Sequence, residues 1–196
     1  MNLIERVKNM LVTPKTEWEV VNGETATPMS LLTGYVLPLA IIAAIGTLLK
    51  GVLFTGLLDW GLKYYIIAAV IALVSNIIAY YVTVIVVDML APSFGSEKNM
   101  GKSAQLVAFS STPSYIAGLL AFIPVLGWIL MIGAWVYGIY IMYLGIGPLK
   151  KTPEDKKAVY MIVVYVIMIA IYFIIGAILG AVLFASMGLG LSRYGM

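Results

Sequence analysis

Long apolar runs alternate with short polar segments along this chain. The runs cover approximately residues 29–54, 64–89, 103–123, 128–146 and 159–184. Each is long enough to cross a bilayer as a helix, because about 20 helical residues span the hydrocarbon core. The runs are continuously apolar, whereas the strands of a membrane β-barrel alternate polar and apolar residues. The pattern therefore predicts an all-α transmembrane bundle of five spans over 29–186, followed by a short tail over 187–196.

The first 28 residues differ from the spans because apolar positions recur there at helical spacing opposite charged ones. This pattern predicts a cytosolic segment of short amphipathic helices, which lie either on the membrane surface or against loops of the same chain. Thr13-Pro14 and Thr27-Pro28 each combine a preferred N-cap residue with proline at the first helical position. Gly23 is expected to end the helix that starts at Pro14. The apolar stripe consists of Leu3, Ile4, Val7, Met10 and Leu11.

The third span is interrupted by small hydroxyl side chains and a proline, from Ser110 through Thr112 to Pro113. In one interpretation, the hydroxyls satisfy the backbone groups that the proline leaves without a partner. In the other, the broken span exposes carbonyls and a helix end at mid-depth, as transporters do to hold a solute. Residues 122–127 form an uncharged turn, so spans 3 and 4 are predicted to form a hairpin that either crosses fully or re-enters.

Four further positions within the spans stand out. Pro38 predicts a kink in span 1. Asn76, near the centre of span 2, bonds either to a neighbouring helix or to a ligand. A stripe of tyrosines at spacing three, centred on Tyr140, forms packing or an interfacial belt, or contacts a lipid or other ligand. Gly176 and Gly180 form a small-residue face on which another helix, including one from a second copy, could pack.

The polar segment before span 5 carries the clearest helix-start signal. Thr152 is predicted as the N-cap, Pro153 as the first helical residue, and Asp155 follows three residues after the cap. We interpret this motif as structural.

Composition and charge narrow the possible functions. The chain has 196 residues, of which 62% are hydrophobic and 11% charged, and it contains no cysteine or histidine. Disulfides, Cys or His nucleophiles and zinc thiolate sites are therefore excluded. We expect no enzymatic activity, no cofactor and no bound metal, and the chain has no basic patch for nucleic acid.

The distribution of lysine and arginine predicts the orientation. Nine of these residues lie in the N-terminal segment, the loop after span 2 and the loop before span 5, and three lie on the other side. The positive-inside rule places the nine in the cytoplasm and the C-terminus outside, in the inner or plasma membrane. The nine are Arg6, Lys8, Lys15, Lys98, Lys102, Lys150, Lys151, Lys156 and Lys157, and the three are Lys50, Lys63 and Arg193.

Six motifs spread over most of the chain match those of a known family of membrane proteins. They lie at residues 11–19, 90–95 with Lys98 and Asn99, 104–113, 123–127, 137–148 and 151–160. On these motifs the chain resembles bacterial members of the Yip1 family of five-span membrane proteins, and the resemblance implies a cytosolic N-terminus. Eukaryotic relatives bind prenylated GTPases in vesicle trafficking, but their Asp-Leu-Tyr-Gly-Pro signature is represented here only by Asp88, Leu90 and Pro92, so that role is not carried over.

Two functional hypotheses follow. The first is a non-enzymatic scaffold, assembly or membrane-organising protein that binds lipid, an unknown protein or a second copy of itself. The second is a small channel or transporter with a polar site in the broken third span. The predicted contacts of the first are Asp88, Glu97, Lys98, Trp18 and Lys150, and the predicted site of the second comprises Ser110, Thr112, Asn76 and Asp88.

Overall fold

A computed structural model of the protein describes residues 2–58 and 61–191. Arg193 and the end of the predicted tail lie outside the described residues. Within these ranges every regular element is helical. The α-helices are α1 (Leu3–Val12), α2 (Pro14–Asn22), α3 (Pro28–Leu31), α4 (Leu37–Leu58), α5 (Gly61–Leu90), α6 (Met100–Ser110), α7 (Thr112–Leu119), α8 (Leu126–Lys150) and α9 (Glu154–Leu191).

Four helical stretches are long and apolar enough to cross a membrane. They cover Pro28–Leu53, Tyr64–Phe94, Leu126–Lys150 and Glu154–Ala181. The remaining predicted span, 103–123, is divided between α6 and α7, which contain 11 and 8 residues. The chain is therefore a multi-pass helical membrane protein with four continuous spans and one broken helical segment among its described residues.

The start of the first span follows its local sequence. The Thr27 hydroxyl accepts a hydrogen bond from the Ser30 N–H, and the Ser30 hydroxyl accepts one from the Thr27 N–H, which together form a capping box. A π-helical turn over Leu32–Val36 follows, directly before Pro38. Proline has no N–H to donate to Gly34, so the regular bonding pattern cannot continue there. The sequence predicts a kink at Pro38, and the structure has this π-helical turn directly before it.

The broken segment lies at the centre of the bundle. All side chains from Ser103 to Ser110 are buried, and α6 contacts α1, α3, α5 and α8. The chain bends at Ser111, and α7 continues between α4 and α8. Gly46 and Gly118 allow this close packing, because a Cβ atom at Gly46 would lie 2.2 Å from the Gly118 carbonyl oxygen.

The N-terminal helices pack on the bundle itself rather than on its loops. The Tyr137 hydroxyl donates to the carbonyl of Leu11 at 2.8 Å, and the Trp18 indole donates to the carbonyl of Ile141 at 2.9 Å. Gly145 leaves the space that the Trp18 ring fills, since a Cβ atom there would lie 2.5 Å from the ring. The helices α1 and α2 therefore form a hairpin seated against α8.

Candidate functional site

A buried ion pair joins the ends of two spans. Asp88 lies two residues before the end of α5, and Lys150 is the last residue of α8. The Lys150 ammonium nitrogen is 2.9 Å from the Asp88 Oδ1 oxygen, and the two side chains are only 0% and 2% exposed. Removing two charges from water is costly unless both are fully paired, so the surroundings of this pair decide what it can do.

Those surroundings satisfy both charges. The Lys150 ammonium also donates to the Ser103 hydroxyl at 2.7 Å and to the Asn99 carbonyl at 3.3 Å. The Asp88 carboxylate also accepts from the Asn99 N–H at 2.8 Å and from the Ser103 hydroxyl at 2.9 Å. We call Asp88, Asn99, Ser103 and Lys150 the Asp88–Lys150 cluster. Each ammonium proton has an acceptor, so the cluster is arranged to fix the positions of α5, α6 and α8.

The segment that follows α5 is anchored to this cluster and remains exposed above it. A 3₁₀ turn over Ala91–Phe94 ends at Gly95, whose φ of 68° lies in the left-handed region that favours glycine. The Glu97 N–H then donates to the Lys150 carbonyl at 2.8 Å. Pro92, Glu97 and Lys98 are exposed. Residues 92–98, which we call the central loop, therefore present a fixed backbone with charged side chains facing outward.

Thr152 does not act as the predicted N-cap. The last helix begins at Glu154, and the Thr152 hydroxyl donates to the Ile146 carbonyl at 3.0 Å instead. The same hydroxyl accepts from the Ser96 hydroxyl at 2.9 Å. The helix-start prediction from this motif was correct to within a residue, but its cap assignment was wrong because a long-range partner takes the hydroxyl.

A second ionic cluster, in which Arg6 and Glu17 are buried and Glu24 is half-buried, holds the N-terminal hairpin together. The Arg6 guanidinium lies 2.5 Å from a carboxylate oxygen of Glu17 and 2.5 Å from one of Glu24. Its other face lies over the Phe109 ring, 5.0 Å from the centroid, in cation–π geometry. The Asn9 amide donates to Glu17 at 3.0 Å. The sequence interpretation missed this cluster, because it considered Arg6 only as part of the charged face opposite the apolar stripe of the first helix.

Lys102 fixes the other end of the hairpin. Its ammonium donates to the carbonyls of Asn22 at 2.7 Å, Glu24 at 2.9 Å and Val21 at 3.3 Å, which are at or near the C-terminal end of α2. A cation is favoured at a helix C-terminus. Burial lowers the pKa of Lys102, and the nearby Glu24 carboxylate opposes that shift.

A cavity of about 240 Å³ lies among α5, α6, α7, α8 and α9. Its polar lining includes Asn76 and Ser110, and all of its lining residues are uncharged. The Asn76 amide donates to the Ala72 carbonyl at 2.8 Å, and the Ser110 and Ser111 hydroxyls donate to the Val107 carbonyl at 3.3 and 2.8 Å. Asn76 therefore bonds within its own helix rather than to the neighbouring helix predicted for it. Its amide keeps a second N–H, and the side-chain oxygens of all three residues can accept.

The structure separates the residues predicted for a single transport site. Asn76 and Ser110 line the same cavity. Thr112 bonds to the Tyr35 hydroxyl at 2.7 Å and to the Phe109 carbonyl at 2.6 Å. Asp88 belongs to its own cluster, and Pro113 is buried at the start of α7.

The predicted surface contacts also divide into two groups. Glu97, Lys98 and Pro92 are exposed together in the central loop. Trp18, Asp88 and Lys150 are buried, so they are not surface contacts of the folded chain. Tyr140 is 51% exposed, and its ring stacks on Tyr137 with centroids 5.9 Å apart.

No group of three His, Cys, Asp or Glu side chains suited to holding a metal ion occurs in the part of the chain that the structure describes.

A family model described as the Yip1 domain matches residues 8–178. No curated protein and no solved structure matches the chain.

Proposed function

The chain belongs to the Yip1 family, and from that premise we propose that it is a non-enzymatic integral membrane protein that acts by presenting its central loop to a protein partner. One observation carries this proposal. The loop is exposed at Pro92, Glu97 and Lys98, yet its backbone is bonded to the buried Asp88–Lys150 cluster. Because a loop that is ordered before it binds loses less conformational entropy on association, this arrangement suits recognition.

The ionic chemistry of the cluster supports a positioning role. A buried ion pair is weak evidence for stability, since replacing such a pair with apolar residues of similar volume often leaves the free energy of unfolding unchanged or raises it. The pair in this chain instead sets the relative positions of α5, α6 and α8, from which the loop projects. Next to the cluster, an exposed ion pair links the loop to the residue after α8: the Lys151 ammonium nitrogen lies 2.6 Å from a Glu97 carboxylate oxygen.

We further propose that the broken segment crosses the bilayer completely, giving five spans with a cytosolic N-terminus and an external C-terminus. Ala121, in the turn between α7 and α8, lines a pocket with Lys50, Tyr64 and Tyr65. These residues are near the ends of α4 and α5 that lie far from the Asp88–Lys150 cluster. The turn between α7 and α8 therefore reaches the level of Lys50 in α4 and Tyr64 in α5, in the halves of those helices far from the Asp88–Lys150 cluster, which supports a full crossing.

The loop proposal is tested by photo-crosslinking in cells. A photoreactive residue at the exposed Ser93 position should give a discrete protein adduct, and charge reversal by Glu97→Lys with Lys98→Glu should remove it. Glu5→Lys is the matched control, because it reverses an exposed charge on the N-terminal hairpin. Adducts that are absent, or equally strong in the loop variant and the control, would contradict the proposal.

The cavity favours a second candidate function, the passage or binding of a small uncharged solute. Asn76→Leu with Ser110→Ala should reduce solute flux from liposomes containing the purified protein. Ser75→Ala is the matched control, because its hydroxyl also bonds within α5, to the Ile71 carbonyl, and does not line the cavity. Flux no greater than that of empty liposomes would remove this candidate.

A further inference from the structure

The N-terminal hairpin reaches far along α8 from the level of the Asp88–Lys150 cluster. Tyr137, which bonds to Leu11, precedes Lys150 by 13 residues, which is about 20 Å of helix. The Trp18 ring lies against Ile141 and Gly145, at a depth of about 8–14 Å on the same scale. The turn of the hairpin therefore lies close to the mid-depth of the bundle.

The outer surface of this hairpin carries polar side chains at that depth, beside the exposed Val12 and Val20. Lys15, Thr16 and Glu19 are exposed, and all three belong to α2 near the level of the Trp18 ring. Lysine can extend its ammonium group several ångströms toward water, whereas threonine is too short to do so. A bilayer of ordinary thickness around this face would bring these groups into hydrocarbon, which is unfavourable for charged and polar side chains.

The opposite face of the bundle is apolar at the same depth. The Tyr160 hydroxyl bonds to the Val87 carbonyl beside Asp88, which aligns α9 with the level of the cluster. Val166, six residues further along α9, is 60% exposed and lies about 9 Å deeper than Tyr160. Met89 and Val159 are also exposed, so the apolar surface on this side begins almost at the cluster itself.

The exposed aromatic residues of α8 occupy a shorter stretch than the apolar face of α9. Trp128, Trp135, Tyr140 and Tyr143 are all exposed, and aromatic side chains are favoured near membrane interfaces. The outermost two, Trp128 and Tyr143, are 15 residues apart, or about 22 Å along the helix. The exposed apolar face of α9 runs from Val159 to Ala181, about 33 Å. An apolar span that is much shorter than the hydrocarbon thickness of about 30 Å draws the bilayer thinner around it.

We propose that the face formed by α1, α2 and the adjacent part of α8 thins the bilayer locally, with phospholipid headgroups drawn down against the hairpin. The exposed charges suit zwitterionic headgroups, because two are basic and two acidic, namely Lys8, Lys15, Glu5 and Glu19. Exposed Val12 contacts the displaced acyl chains. This surface is distinct from the central loop, and the proposal does not depend on a protein partner.

The test uses fluorophores at single cysteines, since the native chain has none. Thr16→Cys labels the hairpin, and Val166→Cys is the matched control on α9 at similar depth. Each labelled full-length protein is reconstituted into phosphatidylcholine vesicles that carry a nitroxide either on the choline headgroup or near the acyl-chain end. We expect the headgroup nitroxide to quench the label at position 16 at least threefold more strongly than the label at position 166, and the chain-end nitroxide to show the reverse order.

Three results would overturn the proposal. Equal quenching of both positions by the chain-end nitroxide would place the hairpin in hydrocarbon of ordinary thickness. Quenching at position 16 by aqueous iodide but not by the headgroup nitroxide would indicate a water-filled cleft. Protection of position 16 from the headgroup nitroxide, the chain-end nitroxide and iodide would mean that protein, such as a second copy, covers this face.

Discussion

Removal of Asp88 provides the sharpest test of how the end of the bundle that contains the Asp88–Lys150 cluster is held together. Asp88→Ala leaves the Lys150 ammonium in a fully buried site with only the Ser103 hydroxyl and the Asn99 carbonyl as acceptors. Breaking a buried pair from one side typically costs about 3–5 kcal/mol, because a charge remains uncompensated. We expect a loss of this size in the free energy of unfolding.

A double variant separates the cost of leaving one buried charge unpaired from the contribution of the ion pair itself. Asp88→Leu with Lys150→Met removes both charges at similar volume, and this kind of replacement is often close to neutral. The Asn99 N–H loses its acceptor in that variant, which costs about 1–3 kcal/mol. The double variant should therefore be more stable than Asp88→Ala.

Unfolding by sodium dodecyl sulfate in mixed micelles, followed by tryptophan emission, measures these differences. Lys151→Met is the matched control, because it breaks the adjacent pair with Glu97, whose members are 70% and 54% exposed. That change should stay within about 1 kcal/mol of the unmodified protein. The reasoning is refuted if Asp88→Ala is no less stable than this control, or if the double variant is as unstable as Asp88→Ala.

Three further outcomes are expected. Gly145→Val should destabilise the protein by about 1–3 kcal/mol, because its side chain would overlap the Trp18 ring, and a shift in tryptophan emission should accompany the loss. Thr112→Val should cost about 1–2 kcal/mol, because it leaves the buried Tyr35 hydroxyl without its partner, and unchanged stability in the same unfolding assay would contradict this. If the Gly176 face pairs two copies of the chain, a bulky residue in place of Gly176 should lower the fraction of cross-linked dimer in liposomes. Within one chain the change is tolerated, since a Cβ atom at Gly176 meets nothing within 4 Å. A dimer fraction equal to that of the unmodified protein would argue against that pairing.

Features governed by local sequence were predictable. The Thr27-Pro28 cap, the irregularity before Pro38 and the interruption near Ser111 each depend on a few neighbouring residues, and each is found where the sequence predicts it. The four continuous spans follow from their length and hydropathy alone.

Features governed by tertiary contacts were not predictable from the sequence. Trp18 looks like a surface aromatic in a polar segment, but it is buried because Gly145, 127 positions later, leaves room for its ring. Lys150 sits among charged neighbours, so nothing local marks it as buried. The one available signal was that Asp88 and Lys150 lie near the ends of two predicted spans that the charge distribution assigns to the same side of the membrane.

The ion pair between Asp88 and Lys150 also has a consequence during synthesis. The two residues are 62 positions apart, so at about 5–20 residues per second the ribosome completes Asp88 about 3–12 s before Lys150 exists. For that interval the carboxylate must remain hydrated at the membrane surface while α6 and α7 are inserted. The delay is shorter for the arginine cluster of the hairpin, because Arg6 and Glu24 are 18 positions apart, which corresponds to about 1–4 s. The N-terminal hairpin can thus pair its buried arginine early, and the end of α8 later supplies the cation that completes the Asp88–Lys150 cluster.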